Sequence, residues 1–488
     1  MSKVYTECTR CIAWLGEVKD GIPPADAEST IDLIQYMATI TRSDDPDSIA
    51  VPQELCSKFN AAVAALGTIE HDQNPWWRRI WTVQEAALPE EVILQWGPFE
   101  LPWSTVEEAR TTWVTYIPPQ LWSLLEGVPF EDAEVLYSFM AHVAWLGSLR
   151  PLAHQPWNMI QVYRLREATD PRDGIYGLMG LVEKGCLPIT EKCDYSASAA
   201  GVFNTLTKEL IVDDAGLRPL ICSPRQQPPQ ATPDVASWAM DLKSSTPHFS
   251  PNVYYLMHVY GTYNANDGLD QLDVNAIQEQ IGAETLSLTG IHVDTVAHTR
   301  EGLRSNVRGD QTISWTEALL PVWYKAAAGC EFDVTQEHNE RISKDCYAGG
   351  SYSVIEAFAR LVLGDTVRNG ELQPSRGVNE DDIQDVWRLM KGQQEEVDIN
   401  TRWTVHHMMR GQALMVTETG LFGSGHLDTQ IGDQVWIFRG GKVPFVIRPR
   451  EGGEKNGYTF VGQCYVQGIM QGEATTREGV VEKTVCLY

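Results

Sequence analysis

The chain has 488 residues, with 65 acidic against 38 basic side chains and a net charge of −27. That length accommodates two or three domains with ample core, and the charge repels a nucleic-acid backbone or an anionic membrane, so neither is expected as a partner. The chain begins Met-Ser-Lys-Val-Tyr-Thr-Glu without an apolar leader, and no run approaches the roughly eighteen apolar residues of a membrane span. It reads as a soluble cytoplasmic protein with no stable membrane insertion. Ten cysteines are too dilute for a disulfide scaffold. The close pair Cys8-Thr-Arg-Cys11 opens an apolar run, which favours buried structural thiols over a metal or redox motif.

In chain order, residues 1–16 read as a helix running into a strand that stops at Gly16. Helical spacing returns over 27–41 and 52–69, separated by a polar linker. Asn74 to Pro89 predicts one helix, capped by Asn74, opened by Pro75 and closed by Pro89. Trp76, Trp77, Ile80, Trp81, Val83 and Leu88 give it a broad apolar arc, with Arg78, Thr82 and Glu85 in a row along its polar edge. A strand follows at 91–97. Residues 104–165 are helical in period and rich in Trp and Tyr, which predicts interhelical packing or an aromatic-lined pocket.

Thr169-Asp-Pro-Arg-Asp-Gly-Ile-Tyr-Gly-Leu-Met-Gly-Leu181 predicts a capped helix whose glycines recur at every third position, so something must approach that face closely. A helix from 198 to 212 precedes the proline-rich stretch 223–234, the clearest boundary in the chain. Helices are expected near 353–364 and 380–392. From Ala413 the period changes to two, and 413–423, 434–448 and 458–466 predict a small antiparallel sheet or barrel. The expected division is an α/β and helical domain (1–222), a connector (223–234), a mainly helical region (235–400) and a β module (401–488).

Three blocks, Ile12-Ala-Trp-Leu-Gly16, Arg79-Ile-Trp-Thr-Val-Gln-Glu85 and Ala168 through Leu181, resemble successive blocks of the fungal heterokaryon-incompatibility (HET) domain family. The turn Ser237-Trp-Ala-Met-Asp241 and the strands from Gly432 to Glu473 resemble the C-terminal part of many such proteins. The resemblance implies a TIR-like, flavodoxin-like α/β domain in front of the β module. The family's first two signature blocks have no counterpart before residue 16, so the chain reads as a truncated or divergent member with a remnant of that sheet.

No Ser-His-Asp order, HExxH motif, paired CxxC or phosphate loop is present, and no metal or cofactor is expected. The resemblance to nicotinamide hydrolases of TIR type marks Glu85 as a working carboxylate; an ion pair or hydrogen bond to Arg172 or to a backbone amide is its structural alternative. An aromatic pocket lined by Trp77, Trp81, Trp113, Tyr116, Trp145 and Tyr176, with Glu85, Arg78 and Arg172 as polar groups, would hold an apolar small-molecule substrate in a reactive conformation. The main functional expectation is therefore a reused HET scaffold acting as a cofactor-independent cyclase or pericyclase of fungal specialised metabolism. The alternative is incompatibility or cell-death signalling, with NAD hydrolysis a lesser reading; the oligomeric state is beyond the sequence.

Overall fold

The computed structural model describes residues 2–69, 74–125, 127–128, 135–136, 138–140, 142–143, 146, 155–163, 166–222, 232–242, 259–302, 310–329, 346–350, 352–369, 375–450 and 457–488. Trp145, Phe130, Tyr137 and residues 223–231 of the proline-rich stretch lie outside them. The chain divides into two compact units, Met1–Ser196 with Leu242–Pro247, and Ala197–Asp241 with His248–Tyr488. Both helices and sheets are present.

In the first unit, α1 (Ser2–Glu7) leads into β1 (Cys11–Trp14), and Gly16 takes the positive φ that turns the chain away. Strand β1 pairs in parallel with β2 (Val92–Trp96), which pairs antiparallel with β3 (Phe99–Pro102). Between them run α2 (Pro24–Thr41) and α3 (Gln53–Leu66), each with a proline just before its first turn or opening it, and α2 packs against both α3 and α5 (Trp103–Thr115). The aromatic region continues as α6 (Pro119–Leu125) and α7 (Pro156–Tyr163).

The predicted helix from Asn74 to Pro89 is broken. Asn74 caps as expected, its side chain accepting from the Trp76 amide, but only a 3₁₀ turn (Pro75–Trp77) follows before α4 (Thr82–Ala87). The break turns Trp77 fully into the core, where its ring meets Trp76 at 4.9 Å and Phe139 at 5.5 Å and its Nε1 donates to the Ile69 carbonyl. Tertiary packing of large rings has overridden the local helical preference. Likewise the 169–181 block forms only one helical turn, α8 (Asp173–Tyr176).

The second unit contains α9 (Ala199–Asp214), capped by Ser198, then α10 (Val274–Glu279), α11 (Asp310–Ala328), α12 (Val354–Leu363), α13 (Glu380–Met390) and α14 (Ile399–Met409). Its sheet is built from β4 (Leu286–Arg300), β7 (Gln412–Thr417), β8 (Phe422–His426), β9 (Gln434–Phe438), β10 (Phe445–Pro449), β11 (Gly457–Val466) and β12 (Glu482–Leu487). The antiparallel pairings β4–β9, β9–β10, β10–β11, β11–β8, β8–β7 and β7–β4 close on themselves, so six strands form a ring. Strand β12 joins β4 to β11. Closure removes the free edges on which small sheets aggregate. A short hairpin, β5 (Thr366–Val367) and β6 (Arg376–Gly377), stands apart.

The length of β4 makes this closure possible. Its first half pairs with β9 and β12 and its second half with β7, with register shifts between His292 and Asp294 and between Val296 and His298 that bend it from one partner to the next. A Cβ on Gly290 would lie 2.2 Å from the Ile437 carbonyl oxygen, so only glycine fits that crossing. Phe438, Phe445 and Phe460 fill the interior with ring spacings of 5.8–5.9 Å.

In α14, His406 is buried and the His407 ring stacks on Trp403 with centroids 3.4 Å apart. Burial, reinforced by Arg410, pushes both imidazoles down to about 4. Between that value and the ordinary pKa of about 6.5 the unfolded chain binds protons that the folded unit refuses, so this contribution is complete above pH 6.5 and lost as pH falls towards 4. The His406→Gln/His407→Gln variant should therefore lose roughly 2–5 kcal/mol less stability than the parent between pH 7 and pH 4, measured by urea unfolding; parallel losses would refute the assignment.

Candidate functional site

The two strongest stretches of the sequence meet in the first unit. Ile80 N–H donates to the Glu167 carbonyl at 3.0 Å and Glu167 N–H returns a bond to the Arg78 carbonyl at 2.6 Å, a parallel bridge between the segments. The Gln84 amide donates to the Gly177 carbonyl at 2.7 Å, and Trp81 Nε1 to Asp173 at 3.3 Å. A Cβ on Gly177 would stand 2.9 Å from Ile80 Cγ1, which accounts for the glycine by close packing. Gly174, expected to serve the same purpose, faces Leu242 at a looser 3.4–3.5 Å.

Glu85 lies one turn into α4 and has both carboxylate oxygens engaged. Oε2 accepts from Trp76 Nε1 at 3.0 Å and Oε1 from the Tyr5 hydroxyl at 3.3 Å, tying α4 to the 3₁₀ turn and to α1. Its partners are thus side-chain donors, and neither Arg172 nor a backbone amide is among them. Burial, aided by the Glu85 charge, pushes Tyr5 up to about 12 and the Cys11 thiol up to about 11. Cys8 and Cys11 are only half-buried, which departs from the expected core thiols, and neither forms a disulfide.

Arg172 belongs to a second cluster. It forms a two-point bond with Asp170 (2.6 and 2.9 Å), donates to the Tyr195 carbonyl and stacks over the Tyr195 ring at 5.2 Å. The guanidinium holds Asp170 below the usual carboxylate range. Asp173 accepts from the Tyr195 hydroxyl at 2.5 Å as well as from Trp81, while the Tyr176 hydroxyl donates to the Asp194 carbonyl at 3.0 Å. Trp81, Arg172 and Tyr176 are therefore brought together around Asp173 and Tyr195, which is 49% exposed. Tyr195 was not among the expected site residues, because no local pattern announces a contact spanning 22 residues.

The remaining expected site residues lie apart. Arg78 pairs with Glu167 at 3.5 Å; Trp77 is core; Trp113 is half-buried on α5; Tyr116 is 45% exposed, its hydroxyl donating to Asp47 at 2.7 Å. Trp145 is outside the described residues. Trp76, Trp103 and Phe139 gather around Trp77, as in a packed core. Among the described residues no three His, Cys, Asp or Glu side chains gather as a metal site, and no helix is long and apolar enough to cross a membrane.

Replacing Glu85 by alanine leaves the Trp76 indole and the Tyr5 hydroxyl without their acceptor. The loss should be about 1–3 kcal/mol, read from denaturant unfolding followed by tryptophan fluorescence, whereas the more exposed Tyr116→Phe should cost less than about 0.5 kcal/mol. Equal effects would remove Glu85 from its structural role.

Comparison with known proteins agrees with the fold. Residues 354–483 match the family model described as the Het-6 beta-barrel domain, which covers α12 to the start of β12 and so includes five of the six ring strands. The chain is 21% identical, over 560 aligned positions, to heterokaryon incompatibility protein 6, OR allele, of Neurospora crassa, with 97% of this chain and 78% of that protein covered. No solved structure matches. With a closed barrel in the matched region and a likeness running through nearly the whole chain, the protein is similar to proteins of the fungal heterokaryon-incompatibility family and carries a Het-6 beta-barrel domain over residues 354–483.

Proposed function

We propose that the chain acts in heterokaryon incompatibility, as the name of its Neurospora relative states of that protein, and that it does so in the cytoplasm. The observation that carries this reading is the likeness over 97% of the chain, which takes in both compact units. The cyclase reading has less behind it, because Trp77 is packed into the core against Trp76 and Phe139, Trp81 bonds to Asp173, Tyr116 is exposed, and Glu85, Arg78 and Arg172 each serve a different local partner.

In this reading β1 and β2 are the remnant of a flavodoxin-like sheet. Ligands of such sheets sit beyond the carboxyl ends of the strands. Glu85 instead exerts its charge on Cys11, the first residue of β1, at the amino end. That placement gives NAD hydrolysis no support and favours Glu85 as a clamp.

Inducible expression in a fungal host should arrest growth. Glu85→Gln, which keeps an acceptor for Trp76 and a polar contact for Tyr5, should preserve the arrest, with cellular NAD unchanged. A harmless parent protein would overturn the signalling reading. Loss of arrest in a folded Glu85→Gln protein, together with NAD depletion by the parent, would make Glu85 a catalytic carboxylate.

A further inference from the structure

Strand β1 is an outer strand of the three-stranded sheet in the first unit, paired on one side only. The Cys11 and Leu15 amides donate to the Glu91 and Gln95 carbonyls at 2.8 Å each, so the odd-numbered residues turn their backbone groups towards β2. Alternation along the strand then points the N–H and C=O groups of Ile12 and Trp14 the other way. Among the described residues nothing bonds to them. Their side chains are open as well: Ile12 is 55% and Trp14 48% exposed, while Ala13 between them is fully buried.

Soluble proteins ordinarily blunt such an edge with a lysine, a proline or a bulge. Strand β1 carries none of these: it reads Cys-Ile-Ala-Trp, and its register with β2 runs without a shift. A β-branched and an aromatic side chain share one open face beside unbonded backbone groups, which is the make-up of an edge that accepts a further strand.

The strand is its own complement. Laid antiparallel on a second copy with Ala13 opposite Ala13, it sets Ile12 against Trp14 and Trp14 against Ile12, and each such pair exchanges both of its backbone bonds because both residues face outward. The same register places an aromatic side chain against a β-branched one on the exposed face, a favourable cross-strand pairing. It leaves the closest position, on the two-fold axis, to an alanine. A slip of one residue turns inward-facing groups to the partner, and a slip of two sets Ile12 or Trp14 against itself and leaves the other without its mate. Charge agrees with the antiparallel sense. Arg10 precedes the strand and Glu17 follows it, both exposed, so each Arg10 approaches the Glu17 of the other copy, whereas a parallel alignment would put like charges side by side. Arg10 also pairs with Glu91 of its own copy at 2.8 Å; Glu17 has no ion pair among the described residues.

We propose that two copies of the chain pair through β1, joining their sheets antiparallel across a two-fold axis at Ala13. Each copy offers this edge to the same edge of the other, so the assembly closes at two and does not grow. A contact centred on strands of four residues is smaller than the roughly 800 Å² per partner of a standard interface, so the dimer is weak and concentration-dependent. The proposal concerns assembly and stands independently of the incompatibility reading.

The test is sedimentation equilibrium of the full chain from about 1 to about 500 µM, a range that brackets a small transient interface, in about 0.3 M sodium chloride so that the net charge is screened. The mass should rise from monomer to dimer and stop there. Trp14→Lys puts a charge on the open face without touching a bond to β2 and should weaken association at least about tenfold. Ile12→Lys should do the same, and carries the test if circular dichroism shows that Trp14→Lys does not fold. Hydrogen exchange checks the register: the Ile12 and Trp14 amides should slow only at concentrations where the dimer forms, while the Cys11 and Leu15 amides are protected throughout. A chain that stays monomeric over the whole range would overturn the proposal and leave the edge to a different protein. A dimer that both lysine variants leave unchanged, or that forms without slowing the Ile12 and Trp14 amides, would overturn it as well.

Discussion

The first unit depends on the interlock between the segments at 78–85 and 166–177. Two backbone bonds at Arg78, Ile80 and Glu167 set the register, Gln84 holds the Gly177 carbonyl, and Ile80 occupies the space that a side chain at 177 would need. With the register set, Trp81 reaches Asp173 and Thr82 receives Arg166. These contacts span 84 to 93 residues of sequence, so each adds little until the loop between them has closed. Together they make two short irregular segments behave as one body. This also explains why α4 is short: the chain leaves helical geometry where the bridge takes over its backbone groups.

The second unit solves a different problem. A sheet of short strands with exposed edges is an aggregation hazard, and here six strands close into a ring around phenylalanine side chains. Closure needs one strand long enough to have different partners at its two ends, and β4 supplies it from outside the matched region 354–483. The barrel as folded is thus larger than the stretch that identifies it. The buried Asp433 accepts two bonds from the half-buried Arg448, at 2.7 and 2.9 Å, and ties β10 to the start of β9.

Much of this was legible in the sequence, and the misses have physical causes. Asn74 and Pro75, Ser198, and the glycine at 16 marked element ends because capping and positive-φ geometry are local. The hairpin pairs β7–β8 and β9–β10 followed from period-two patterning. The single helix expected over 74–89 failed because Trp76, Trp77 and Ile80 are all drawn into the core. The full extent of β4 and its pairing with β12 were missed because those partners lie more than a hundred residues apart. At the candidate site, Glu85 was recognisable as a carboxylate with work to do, but its donors Trp76 and Tyr5 are set by the broken helix and by α1.

The central claim, that the two segments are energetically one unit, is tested most directly by a double-mutant cycle between Ile80 and Gly177. Gly177→Ala alone pushes a methyl group into Ile80, and Ile80→Ala alone leaves a cavity beside Gly177. If the steric account is right, the double variant should be more stable than the sum of the single losses predicts, by at least about 0.5 kcal/mol. Strict additivity in equilibrium unfolding would contradict it.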